Sequence, residues 1–231
     1  MKRLVLLATF VFATFATLLA QREFYGRTVR LGFKLDPVFS NTLSPKDNGV
    51  EKDGSGFGVN YGLMADIMFS DGRGAFATGL EVAHAGAKLL YTSDNIGLRS
   101  DLATTGQDQR YHLKLQYLQI PVSVKLRTNP MDNGMLFWGQ FGTYFGALIG
   151  SRTNYTIGSN TENNVKTLKE TNKLNMGLLV GGGAQYPIAE KTDLYLGLGL
   201  ENGFTDITSN KQWNDGKVIL NRWAIRLGVF F

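Results

Sequence analysis

The chain has 231 residues, a formal net charge of +5, 28 glycines, 15 phenylalanines and no cysteine. The missing cysteine excludes disulfide staples and a lipid-modified N-terminal cysteine, and two histidines leave little for a transition-metal site. The basic balance is weak and contains no Lys/Arg block, so no nucleic-acid partner is expected, and no residue pattern calls for a cofactor.

Met1-Lys2-Arg3 forms a basic start, and the run from Leu4 to Leu19 carries no charge before small Ala20 and then Gln21. This pattern predicts a secretory signal peptide over residues 1–20, cut between Ala20 and Gln21. The rival is a retained helix, since about 17 residues is the lower limit for spanning a membrane. No basic stop-transfer cluster follows the run, which favours cleavage. Lys2 and Arg3 leave with the leader, taking the net charge to +3. With 5 prolines and no Pro/Ser-rich linker, residues 21–231 read as one domain.

The rest of the chain alternates with period two, and no helical template fits it. Strands are predicted near 28–40, 56–70, 74–90, 111–127, 135–150, 173–187, 192–208 and 217–231. In the second, Val59, Tyr61, Leu63, Ala65, Ile67 and Phe69 share one face. In the fourth, Leu118, Ile120, Val122, Val124 and Leu126 oppose Tyr117, Gln119, Pro121, Ser123 and Lys125. In the last, Trp223, Ile225, Leu227, Val229 and Phe231 oppose Arg222, Ala224, Arg226, Gly228 and Phe230. One face is apolar and the other small, polar or charged, as expected for a lipid-facing wall around a narrow polar lumen.

The links alternate in length. Ser70–Arg73, Asn129–Gly134 and Ile188–Lys191 are short; 41–55, 91–110, 151–172 and 209–216 are long and polar. Short periplasmic turns, longer outer loops and an even strand count belong to transmembrane barrels. The predicted fold is an all-β, eight-stranded antiparallel up-and-down transmembrane β-barrel, with a soluble lipocalin-like barrel as the rival. Aromatic residues of outward parity, among them Phe33, Tyr61, Phe76, Phe141, Trp223 and Phe231, are expected to meet lipid at the interfaces.

The segment Tyr117-Leu118-Gln119-Ile120-Pro121-Val122-Ser123-Val124-Lys125-Leu126 resembles the midpoint strand of the porin-family outer-membrane β-barrels of Bacteroidota, which include the PorT-like proteins. The terminal Val229-Phe230-Phe231 is similar to the C-terminal aromatic signature of such barrels. The resemblance implies an outer-membrane location, contact with outer-membrane lipid, and reading of Phe231 as an assembly signal by the barrel-assembly machinery. It implies little about biochemical task, because a fold does not fix a function.

By parity, Arg30, Lys34, Asp66, Glu81, Lys125, Glu201, Arg222 and Arg226 should point into the lumen. Both signs occur at similar depth, so a charge-paired interior network is expected, with Glu201 and Arg222 as the leading pair. His84 and His112 have outward parity, which argues against a catalytic role. Three function classes follow: a structural or surface-interaction barrel whose outer loops, including Tyr155 and Trp213, meet an extracellular partner; a narrow channel for ions or small solutes; and an envelope lipid-modifying enzyme.

Overall fold

The computed structural model describes residues 29–43, 50–69, 72–91, 108–168, 171–209 and 218–231. The predicted leader, Ser70 and Asp71 of the first short turn, Trp213, and parts of the predicted links 41–55, 91–110, 151–172 and 209–216 lie outside the described residues.

The strands are β1 (Val29–Leu43), β2 (Val50–Phe69), β3 (Gly74–Tyr91), β4 (Gln109–Arg127), β5 (Leu136–Ile157), β6 (Asn160–Lys166), β7 (Leu174–Ala189), β8 (Thr192–Asp206) and β9 (Ile219–Phe230). Each pairs antiparallel with its neighbours, β5 passes directly to β7, and β9 returns to β1. Eight strands therefore close a barrel, and β6 lies outside the ring, paired with β5. Closure is what lipid demands: an open edge would leave backbone N–H and C=O groups without partners in hydrocarbon. The seam runs from Gly32 opposite Phe230 to Leu43 opposite Ile219, and the Phe231 N–H donates to the Leu31 carbonyl at 2.9 Å.

The short turns are tight. Gly72 and Gly134 both have positive φ, a region that costs glycine little. The other end is longer than the sequence pattern predicts. β2 begins at Val50 rather than 56, β4 at Gln109, and β5 continues past 150 to Ile157. Within the expected long loop 151–172, residues 151–166 instead complete β5 and turn at Gly158-Ser159 into β6. Gly158 has φ 57°, which suits the two-residue hairpin between Ile157 and Asn160.

The faces of the barrel exchange character part-way along. On β4, Leu118, Ile120, Val122, Val124 and Leu126 are exposed on the outside, while Gln119, Ser123 and Lys125 are buried inside. Above them the order inverts: Tyr111, Leu113, Leu115 and Tyr117 are buried inside, while Arg110, Lys114 and Gln116 face out. The switch coincides with a bulge between Gln116 and Tyr117 in the β4–β5 ladder. The run Leu118–Leu126 matches the about 9–11 residues that a tilted strand needs to cross a bilayer. Gln109–Tyr117 then rises roughly 20 Å above it, at about 3.3 Å per residue and a tilt of about 40°. The lower barrel thus carries membrane-type amphipathicity and the upper barrel that of a soluble protein.

Candidate functional site

The lumen is filled in three tiers. At the short-turn end, Lys125 donates to both oxygens of Asp66 at 2.8 Å. An aromatic nest surrounds the ammonium, with ring centres of Tyr195 and Phe230 each at 4.9 Å and that of Trp138 at 5.7 Å. Trp138 stacks on Tyr195 at 4.5 Å, and its indole N–H donates to the Leu196 carbonyl. Arg30 stands apart from the deeper charges. Its partly exposed guanidinium reaches Asp193 at 2.6 Å and lies 5.3 Å from the Phe230 ring centre, closing the mouth.

The middle tier is a closed ring of charges. Lys34 pairs with Glu81 and, at 3.3 Å, with Asp36. Arg226 bridges Asp36 at 3.0 Å and Glu201 at 2.8 Å. Arg222, directly opposite Glu201 in the β8–β9 register, meets its other oxygen at 2.5 Å. Gln119 completes the circuit: its carbonyl oxygen accepts from Arg222 at 2.6 Å, and its amide donates to Glu81 at 2.7 Å. Asp36 also accepts the backbone N–H of Leu227. Three cations meet three carboxylates here, so the ring is electrically neutral, which buried ions require in order to be tolerated.

Period-two alternation places all these groups. Lys34 and Asp36 sit two apart on β1, and Arg222 and Arg226 four apart on β9, so each set faces inward. Space comes from glycine. A Cβ on Gly199 would lie 2.5 Å from Arg226 Nε, and one on Gly177 would lie 2.6 Å from the Tyr144 hydroxyl. A cavity of about 30 Å³ remains, lined by Lys34, Met64, Asp66, Lys125, Tyr195 and Arg226. That is room for one or two waters rather than a pathway.

The structure thus gathers Lys34, Glu81, Glu201, Arg222 and Arg226 in one ring and sets Asp66 with Lys125 below it. Asp36 and Gln119 are the members that the sequence reading did not single out. Asp36 carries the same parity as Lys34, so strict alternation through Pro37 would have found it. Gln119 faces inward by parity, but only the three-dimensional closure brings it between Glu81 and Arg222.

The upper tier is apolar. Ala83, Ala85, Ala87 and Leu89 of β3 pack with Tyr111, Leu113 and Leu115 of β4, Ile207, and Leu220 of β9. Tyr155, expected in an outer loop that meets a partner, is instead buried in this cluster with its ring centre 6.0 Å from that of Tyr111. The cause is the bulge beside Gln116 and Tyr117, which shifts β5 by one residue, so that odd-numbered positions, outward at Phe141 and Phe145, turn inward at Thr153 and Tyr155. Beside it the β5–β6 hairpin is pinned by Thr167, whose hydroxyl lies 2.9 Å from Ser151 Oγ and 2.8 Å from Thr153 Oγ1, all buried. Asn164, at φ 58°, donates its N–H to the Asn154 side chain.

His84 and His112 both face outward above the lipid-facing belt. His84 Nε2 lies 2.9 Å from the Gln116 amide nitrogen, and His112 stands opposite Lys88.

Residues 19–209 match the family described as outer membrane protein beta-barrel domain. Among solved structures, Neisserial surface protein A is similar at 13% identity, with 87% of this chain and 95% of that chain covered and a TM-score of 0.39. Ail, the attachment invasion locus protein of Yersinia pestis in complex with the heparin analogue sucrose octasulfate, is similar at 11% identity, covering 87% and 99%, with a TM-score of 0.34. The outer membrane protease OmpT from Escherichia coli is similar at 9% identity, covering 89% and 96%, with a TM-score of 0.35. No curated protein sequence matches the chain.

Proposed function

We propose, for a chain that belongs to the outer membrane protein beta-barrel domain family, that this outer-membrane barrel is a sealed anchor that holds a stiff interaction surface above the membrane. The observation that carries this reading is the inversion of amphipathicity above Tyr117. A barrel that served only to span lipid would have no need of a soluble-type core built from Leu113, Leu115, Tyr111, Tyr155 and Leu220 beyond its belt. That core lifts the β5–β6 hairpin well clear of the bilayer, where an extracellular partner can reach it. The neutral ring of charges beneath it closes the lumen, which disfavours the channel reading.

A non-catalytic role is part of this reading. It is supported by the outward placement of both histidines and by their neighbours, an amide for His84 and lysines for His112, which are not the orienting carboxylates of a nucleophilic site. In the same reading the leader is removed between Ala20 and Gln21, and Phe231 is presented to the barrel-assembly machinery.

The chain has no cysteine, so single introduced thiols report topology directly. T161C, in the hairpin, should react with a membrane-impermeant maleimide on intact cells. E190C, in the short turn between β7 and β8, should react only after the envelope is permeabilised. The reverse pattern, or protection of both, would refute the orientation and the displayed hairpin together.

A further inference from the structure

The outer surface of β2 to β6, just above the lipid-facing belt, carries a groove of about 760 Å³. Among its described lining residues there is no Asp or Glu, but there are Lys88, Lys114, Arg152 and Lys166, with His112 between them. The strand register makes this crowding explicit. Lys114 stands directly opposite Arg152, and Arg152 directly opposite Lys166, so three cations form one row across β4, β5 and β6. In the next row Lys88 faces His112.

Like charges directly opposite one another on a sheet face destabilise it. Among the described residues, none of Lys88, Lys114, Arg152 and Lys166 has an ion pair to offset that cost. Asp53, on the adjoining part of β2, lies 4.0 Å from Arg110 instead. Burial, and after it the ammonium groups of Lys88 and Lys114, hold the His112 imidazole below its ordinary pKa. The groove is also amphiphilic. Exposed Phe57, Ile149 and Leu168 line it, and one step below lie Leu118 and, opposite it in register, Val82 and Ala147, at the top of the lipid-facing wall.

We infer that this groove binds the phosphorylated head of an acylated glycolipid of the outer leaflet, with its acyl chains lying down the apolar wall of β3 to β5. A phosphate between Lys114 and Arg152 would turn their mutual repulsion into charge-assisted hydrogen bonds, for which the planar guanidinium is well shaped. The volume is too large for a lone phosphate and falls within the range of sites that enclose a whole ligand head. The position, on the outside of the barrel at the edge of the belt, points to a membrane amphiphile over a soluble anion.

The test uses the mature protein in a nonionic detergent, titrated with diphosphorylated lipid A, with the same lipid lacking its phosphates, and with inorganic phosphate. Binding is followed by native mass spectrometry and by the rise in unfolding temperature. The diphosphorylated lipid should bind at least about tenfold more tightly than the phosphate-free one, about 1.4 kcal/mol. K114Q/R152Q should lose that tenfold, K114R/R152K should keep it, and K88Q/K166Q gives a second, independent loss. In lipid-free detergent K114Q/R152Q should unfold at the same temperature as the parent or higher, since the change removes repulsion. Equal binding of the phosphate-free lipid, or unchanged affinity in both glutamine variants, would overturn the assignment. Inorganic phosphate that saturates the site and excludes the lipid would overturn it in favour of a free-anion site.

Discussion

Glu201 is the residue on which the lumen turns. Its two oxygens each hold a different arginine, and both arginines are buried on β9. Removing one member of a buried ion pair leaves an uncompensated charge, which costs about 3–5 kcal/mol. E201Q should therefore lower the unfolding free energy in urea and detergent by about that amount. Replacing E201 and R222 together with hydrophobic residues should cost less, because Arg226 keeps Asp36. A loss under about 1 kcal/mol in E201Q would mean that water or a rearranged Gln119 takes over the task. Parity put Glu201 and Arg222 on one inner face of neighbouring strands. It could not say that Arg226, four residues on, would share the same carboxylate, since that depends on how far a long side chain reaches into a lumen cleared by Gly199.

Along a single strand, β4 shows where the membrane ends. Outward positions from Leu118 downward are apolar, and those from Gln116 upward are polar. An arginine on the lipid face costs about 2–4 kcal/mol at the bilayer midplane and close to nothing at the interface. V122R should thus destabilise the folded barrel in bilayers by about that amount, whereas Q116R should leave it unchanged, as read by urea titration of heat-modifiable gel migration. Equal penalties at both positions would place the belt higher than the inversion does. The same strand explains why the sequence reading of the outer loops fell short. Polar residues such as Ser151, Thr153 and Asn154 look like loop when lipid is assumed outside, yet they form a regular strand once water is outside and the inner face is closed by Tyr155 and Ile157. Gly158-Ser159 was the hairpin signal available in the sequence.

For the whole molecule, three tiers of different chemistry block one lumen: an aromatic-caged lysine, a neutral ring of charges and an apolar core. Purified barrel in planar bilayers should give no steady single-channel conductance, and reproducible unit steps would reject the sealed lumen. The wall is legible in the order of residues alone, because lipid outside and a narrow lumen inside impose a period-two pattern: the eight strands, the short-turn end and the inward set from Lys34 to Arg226. Folding in three dimensions settles which charges meet, that Asp36 and Gln119 join the ring, and that the barrel continues as a soluble-type extension bearing a row of opposed cations. Those features depend on strand register across the closed ring and on the solvent each height meets, and neither is carried by alternation along any one strand.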